Sequence, residues 1–248
     1  MKTCLVVDLG LVEYGAAWEL QRRAVAARKA GAVPDVLLLC EHPHVITLGR
    51  NGKLTNLRAS SDLLRQRGVA LFETDRGGDI TYHGPGQLVG YPILNLAEIR
   101  RDVAWYVRGL EEAMIRATAE FGVSARRVAG RTGVWVDVAG ERAGSPPEEE
   151  KLGAIGVHLS RWVTSHGFAY NVATDLRYFD LIVPCGIADK RATSLEKLLN
   201  RHVELRGVSS LMAAHLGELF SLELGAADRG ALETLLAAQE EQTAAAAS

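Results

Sequence analysis

Cysteine is scarce in this 248-residue chain: Cys4, Cys40 and Cys185 are the whole supply. Three thiols so widely spaced make neither a disulfide framework nor a paired-cysteine zinc motif, and a reducing cytosol suits them better. Long apolar runs are missing too. None approaches the roughly 18 residues of a membrane span. The first apolar stretch, Leu5 to Leu11, carries Asp8 and ends without a signal-type cleavage region. Charge of one sign is not in excess: a formal net charge of -2 provides no general attraction to nucleic acid or to an anionic membrane. Nor does a long Ser/Gly/Pro linker divide the chain into self-sufficient halves. These absences predict a soluble, unexported, cytoplasmic protein with neither nucleic acid nor membrane as a partner.

What is present is material for a core. Apolar residues make up 48% of the chain and charged residues 23%, the usage of an ordinary globular domain. Short runs at Cys4–Leu9, Val36–Cys40, Val45–Leu48, Leu88–Leu94 and Val134–Val138 are rich in Val, Ile and Leu and bounded by Gly, Pro or charge, which predicts buried strands. The clearest helix runs from Asp102 to Phe121. Its apolar residues Val103, Tyr106, Val107, Leu110, Met114, Ala117 and Phe121 recur at helical spacing, with Asp102 to cap it and Gly122 to end it. Further helices are predicted over Ala16 to Lys29, from a Thr193 or Ser194 cap through Leu199, and over Ser209 to Phe220. Their interspersion with strands has no regular βαβ rhythm, so the expected class is α+β, a mixed β-sheet flanked by helices. Gly140 to Glu150, with two prolines and three consecutive glutamates, reads as an exposed hairpin tip or loop. Beyond Leu224 the chain turns Ala/Glu/Gln-rich. A catalytic domain over 1–224 is therefore expected, followed by a tail over 225–248 that is a frayed helix or disordered and carries no chemistry.

The stretch Arg76-Gly-Gly-Asp-Ile-Thr-Tyr-His83-Gly-Pro-Gly-Gln87 gathers backbone freedom and polar groups between two predicted strands. It reads either as a loop that wraps a ligand closely or as a glycine-rich hairpin holding a hydrogen-bonded histidine. It lacks the terminal Gly-Lys-Ser/Thr of a P-loop and the context of a dinucleotide fingerprint. Pro184-Cys185-Gly186-Ile187 follows an apolar run and precedes a helix start, so its thiol can be presented at a strand end. A lone cysteine is more often an inert small hydrophobe, and Cys185 needs a partner to count as a nucleophile. Lys151, opening Lys-Leu-Gly-Ala-Ile-Gly156, is one candidate. Such a lysine is usually a solvated strand end, but beside the thiol it would stabilise the thiolate. Cys40-Glu-His42-Pro-His44 does not assemble a ligand set, because alternate strand side chains face opposite ways; no metal is expected. His158 and His166 read as structural, and the glycine of His166-Gly167-Phe168-Ala169 would let a ligand approach the backbone.

Five motifs in order carry a resemblance: Glu41-His-Pro with Thr47-Leu-Gly-Arg50, Arg76 to Gln87, Lys151 to Gly156, His166-Gly-Phe-Ala-Tyr-Asn171, and Pro184-Cys185-Gly186. Spanning about Asp35 to Lys197, they closely resemble the octanoyltransferase, or lipoyl(octanoyl) transferase, family, also called lipoate-protein ligase B. The resemblance implies the fold of biotin and lipoate protein ligases, with an acyl site in a cleft over the sheet. It implies that Cys185 is the acyl-thioester nucleophile and Lys151 the neighbour that lowers its pKa. Arg76, Gly77, Gly78, Asp79, Ile80, Thr81, Tyr82 and His83, with Ala154, Ile155, Gly156, Gly167, Phe168 and Ala169, would line the acyl site. By the same resemblance, a monomer takes its acyl group from octanoyl-acyl carrier protein and passes it to a lysine. The acceptors would be the lipoyl domains of 2-oxoacid dehydrogenase complexes and the glycine cleavage H protein. No cofactor is implied.

Two other readings compete. An ATP-dependent lipoate or biotin protein ligase shares the fold and a similar glycine-rich loop, but activates a free acid as an adenylate and needs no cysteine. A non-catalytic acyl-binding protein on the same scaffold would have no use for both Cys185 and Lys151.

Overall fold

In a computed structural model, which describes residues 2–140, 146–183 and 191–246, the apolar runs form the middle of one large sheet. Strand β1 (Lys2–Leu11) lies parallel to β2 (Asp35–Glu41), which pairs antiparallel with β6 (Gln87–Ile93). Beyond β6 come β10 (Val163–Asn171), β9 (Glu148–Ser160), β8 (Arg131–Val138) and β7 (Ala125–Val128), each antiparallel to its neighbour. With β12 (Leu222–Ala227) outside β1 and the short β11 (Arg191–Ala192) beside β9, the described residues make a nine-stranded mixed sheet. A second sheet sets β3 (Val45–Leu48) between β4 (Ala70–Glu73) and β5 (Ile80–His83).

The strand period of two distributes the central residues between two cores. Leu37, Leu39, Leu88, Phe168 and Tyr170 face α4 (Val103–Ala119) and α6 (Leu205–Phe220). Val36, Leu38, Cys40, Val89, Tyr91 and Ala169 face the side of α1 (Tyr14–Lys29) and α7 (Arg229–Ala246). Helices therefore cover both faces, as an α+β mixed sheet requires. The longest predicted helix keeps its predicted ends: Asp102 Oδ1 accepts from Trp105 N at 2.9 Å, and Gly122 takes a φ of +74°, the left-handed end that glycine allows. Ser194 caps α5 (Leu195–Leu199), accepting from Lys197 N at 3.3 Å. Of the remaining short helices, α2 (Ser61–Gln66) flanks the small sheet and α3 (Leu96–Ile99) follows β6. No helix among the described residues is long and apolar enough to cross a membrane.

Three expectations change. The glutamate run is strand, not loop: Glu148, Glu149 and Glu150 open β9 and pair with Val138, Asp137 and Val136. Glu150 is buried because Lys197 Nζ meets its carboxylate at 2.8 Å, which supplies the partner a buried charge needs. Residues 141–145 of the expected loop lie outside the described residues. Secondly, Ile80–His83, expected within a loop, is β5, in register with Leu48 to Val45. Thirdly, the boundary expected at 224/225 falls inside β12, which pairs Lys2 to Val7 with Leu222 to Ala227. The tail beyond it is a seated helix. Leu232 and Leu236, one turn apart, are fully buried against the α1 side of the sheet, each worth about 1.5–3 kcal/mol, and Arg23 pairs with Glu240 at 2.6 Å.

Candidate active site

Between the two sheets, on the α1 side, lies a cleft of about 1010 Å³ counted with its open mouth. Arg76 organises one wall. Its guanidinium donates to Thr47 O at 2.6 Å, Thr47 Oγ1 at 2.9 Å, Asp79 O at 2.7 Å and Gly77 O at 3.0 Å, so the loop closes around a buried cation. Asp79 is held in turn, taking Asn56 Nδ2 at 2.6 Å and its neighbour Ile80 N at 2.8 Å. Gly77 N donates to Val157 O at 2.9 Å, laying the loop directly on β9. A Cβ on Gly156 would meet Gly77 O at 2.8 Å and one on Gly77 would meet Val157 O at 3.1 Å, so both segments carry glycine at the contact.

A polar chain runs from that wall across the sheet. His83 Nδ1 lies 2.7 Å from Gln87 Oε1, Gln87 Nε2 donates to Asn171 Oδ1 at 2.9 Å, and Asn171 Nδ2 donates to Thr193 O at 2.9 Å. The amide orientation makes Nδ1 the protonated nitrogen of His83. Burial, reinforced by His42 and Arg76, pushes its pKa down to about 3, so it is neutral near physiological pH and a poor proton acceptor. Burial also pushes His42 down to about 4, although Val12 O accepts from its Nδ1 at 2.7 Å; Tyr91 Oη lies 2.7 Å from its Nε2. His83 lines the cleft, and His42 lies behind it with its ring 6.0 Å from that of His83. His166, read from sequence as structural, also lines the cleft with a left-handed φ of +54°. Its Nε2 sits 2.7 Å from Asp75 Oδ1, and burial lowers its pKa despite that carboxylate.

Lys151 projects from β9 into the same cleft, half-buried. Strand β11 lies beside it: Ala192 is its register partner, and Thr193 N donates to Lys151 O at 2.9 Å. Cys185 lies outside the described residues, as do all of 184–190. The chain before them reaches Val183, whose N donates to Asn56 O at 2.7 Å, and resumes at Arg191. Phe179 on the approach and Arg191 and Ala192 on the return all line the cleft.

Lys151, Arg76, Gly78, Asp79, Ile80, Thr81, His83, Ala154, Ile155, Gly156, Gly167, Phe168 and Ala169 thus share one cleft. Tyr82 does not: it packs in the core of the small sheet with Ile46 and Leu181. Its hydroxyl meets His44 Nδ1 at 2.8 Å and its ring stacks on Tyr178 at 5.1 Å. Gly77 contributes its amide to Val157 rather than a surface to the cleft. Gly167 serves the sheet more than the ligand: a Cβ there would lie 2.2 Å from Gly90 O on β6. Sequence reasoning missed Tyr14, Tyr91 and Trp135 as lining residues. For Tyr91 and Trp135 the signal was their alternation inside strand runs already identified. Among the described residues no group of three or more His, Cys, Asp or Glu could hold a metal ion; Cys40 and His42 are buried, and His44 turns to Tyr82.

The arrangement of sheet, cleft and covering loop is that of a lipoate-ligase fold. A bipartite lipoate protein ligase from Thermoplasma acidophilum superposes with a TM-score of 0.73, covering 95% of this chain and 91% of that one at 16% identity. A lipoate-protein ligase A solved with ATP gives 0.69, covering 95% and 93% at 15% identity. At such identities the likeness concerns the fold alone. The family described as lipoyl protein ligase A/B catalytic domain matches residues 13–217. An octanoyltransferase of Solibacter usitatus is 52% identical over 224 residues, 90% of this chain and 96% of that protein. One of Acidobacterium capsulatum is 55% identical over 198 residues, 77% and 78% respectively. The chain belongs to the lipoyl protein ligase A/B catalytic-domain family and, within it, to the octanoyltransferases, which makes it an acyltransferase of lipoate metabolism.

Proposed function

We propose that this enzyme takes an octanoyl group from octanoyl-acyl carrier protein onto Cys185 and hands it to a lysine of a lipoyl-domain protein. The observation that carries the reading is the pairing of β11 with β9. It returns the chain beside Lys151 only a few residues after Cys185, and residues on both flanks of the cysteine segment line the cleft. The other thiols are unsuited to the task. Cys4 and Cys40 are buried away from the cleft, and burial pushes Cys4 up to about 12 and Cys40 higher still, where little thiolate exists.

The steps balance. The Cys185 thiolate attacks the carbonyl carbon of the carrier's thioester, and the carrier's pantetheine sulfur leaves, taking a proton from the Lys151 ammonium. Thioester exchanges for thioester at little cost. The acceptor amine then attacks acyl-Cys185, loses its proton to the Lys151 amine and expels the thiolate, which regenerates the starting pair. His83, neutral and committed to Gln87, binds rather than accepts a proton. The acyl chain lies along the cleft, where about six or seven methylene or methyl groups at roughly 0.8 kcal/mol each give about 5 kcal/mol of gross binding. Amide formation drives transfer without ATP. The same reading has the enzyme act as a cytoplasmic monomer, with the lipoyl domains of 2-oxoacid dehydrogenases and the glycine cleavage H protein as acceptors. The test is transfer from octanoyl-acyl carrier protein to an apo lipoyl domain with nucleotide removed. Product without ATP supports the reading, and product only with free octanoate and ATP overturns it.

A further inference from the structure

Lys151 reaches the cleft through an irregularity in the sheet. Strands β8 and β9 pair Val134 with Gly153, and a regular ladder would then set Lys151 opposite Val136, a core residue packed toward α4. Instead the register shifts and Lys151 pairs with Trp135, leaving Leu152 as the extra residue. Such a bulge re-aims a side chain to the other face. Its neighbours agree: Leu152 is fully buried in the α4 core, and a Cβ on Gly153 would meet Met114 of α4 at 2.6 Å. Lys151 and Trp135 are left together on the cleft side. The ammonium stands 5.0 Å from the centroid of the Trp135 ring. Gly133, at a φ of +119°, makes room for the lysine stem, since a Cβ there would lie 2.7 Å from Lys151 Cε. Trp135 itself is almost wholly buried, and its Nε1 has no hydrogen-bond partner. No hydrogen bond of its own therefore accounts for where it points.

We propose that Trp135 is the positioning residue for Lys151, presenting the face of its indole to hold the ammonium at the reactive end of the cleft. The inference rests on the reading of Lys151 given above. A cation over an indole face is attracted by the ring quadrupole, most strongly where water is partly excluded. That attraction favours the ammonium over the amine. Among the described residues, charged groups near Lys151 and Trp135 come from β8, β9, β11 and α4. Arg131 of β8 lies 5.8 Å from the same ring and is paired with Glu149 of β9 at 3.1 Å. Glu150 is taken by Lys197, and Glu111 of α4 accepts from Gly133 N at 3.0 Å. Arg191 of β11, with Arg76, Asp79 and His83, lines the cleft.

The experiment follows Lys151 directly. Full-length enzyme is prepared with tryptophan, with fluorotryptophan and with difluorotryptophan, which draw electron density from the indole face at nearly constant volume. Acetic anhydride labelling of Lys151 is followed against pH by peptide mass spectrometry, in parallel with alkylation of Cys185. The expected result is a stepwise fall in the pH at which Lys151 becomes reactive. It should reach about one unit, a tenfold change in the ammonium-to-amine ratio, in Trp135→Leu. Trp135→Phe should fall between, and in that background fluorination of the remaining tryptophans should leave Lys151 unmoved. An unchanged Lys151 profile across the fluorinated series overturns the inference, whether or not Trp135→Leu folds. If the Lys151 profile moves while Cys185 alkylation stays put, the positioning role stands and the pairing of Lys151 with Cys185 fails.

Discussion

Two parts of the cleft are built differently. Around Arg76 a fan of hydrogen bonds runs to backbone and to Thr47, and His83 is fixed through a ring nitrogen by Gln87. Lys151 is set by a bulge, a glycine gap and an aromatic face, beside a strand of two residues. Main-chain hydrogen bonds hold a shape whether or not substrate is present. A cation over a ring holds a charge in place and still lets its proton leave. The Arg76 wall is therefore suited to binding, and its residues answer to stability. The Lys151 corner is suited to reaction, and its residues answer to pH.

The largest effect should come from the reacting group. Cys185→Ser should lower transfer by at least about a thousandfold, because a hydroxyl is hardly ionised near neutral pH, while Tm stays at the wild-type value. Activity within about tenfold of wild type would remove the nucleophile assignment. The Arg76 wall should show the opposite signature. Arg76→Met leaves carbonyls of Thr47, Gly77 and Asp79 without their donor, at a cost of about 3–5 kcal/mol, or a Tm lower by roughly 10 °C by scanning calorimetry. An unchanged Tm would show that the loop is held by other contacts.

A smaller effect is expected at Lys151. Lys151→Ala should move the alkylation profile of Cys185 upward by about one pH unit. Lys151→Arg should keep the profile and lose turnover, since a guanidinium does not accept a proton. An unshifted profile in the alanine variant would withdraw the role given to this lysine.

The subtlest effect is thermodynamic. His83 and His42 have pKa values depressed by burial to about 3 and about 4, from 6.5. The unfolded chain therefore takes up protons first as pH falls. Stability contributed by keeping them neutral is full above 6.5 and declines from 6.5 to about 4 for His42 and to about 3 for His83, by about 1.4 kcal/mol per pH unit for each histidine. His83→Gln should flatten that slope in denaturant titrations across this range. A wild-type slope in the variant would place the protonation elsewhere.

Much of this division could be read from sequence. The central strands declared themselves as Val, Ile and Leu runs because they are buried on both faces, and α4 by a cap, a period and a terminal glycine. What stayed hidden has physical causes. Glu148 to Glu150 looked like a loop because a strand whose carboxylates are neutralised by distant basic side chains, such as Lys197, leaves no local signal. Helix α7 looked like a tail because Leu232 and Leu236 are enough to seat it amid alanine and glutamate. Motif matching gathered most of the cleft, yet it could not separate Tyr82 from Thr81, which takes the facing of β5. The bulge at Leu152 depends on register, a property of two strands that neither sequence carries alone. Gly167, read as room for a ligand, lines the cleft and also makes room for Gly90 of β6.

The most direct measurement is the intact mass of the enzyme after mixing with octanoyl-acyl carrier protein, before and after an apo lipoyl domain is added. The predicted result is one octanoyl increment, mapped to Cys185 by peptide analysis. It should disappear as the lipoyl domain gains the same increment on a lysine, with no nucleotide present. Octanoylated lipoyl domain formed at the wild-type rate by Cys185→Ser, or an adduct mapped to any other residue, would contradict the account.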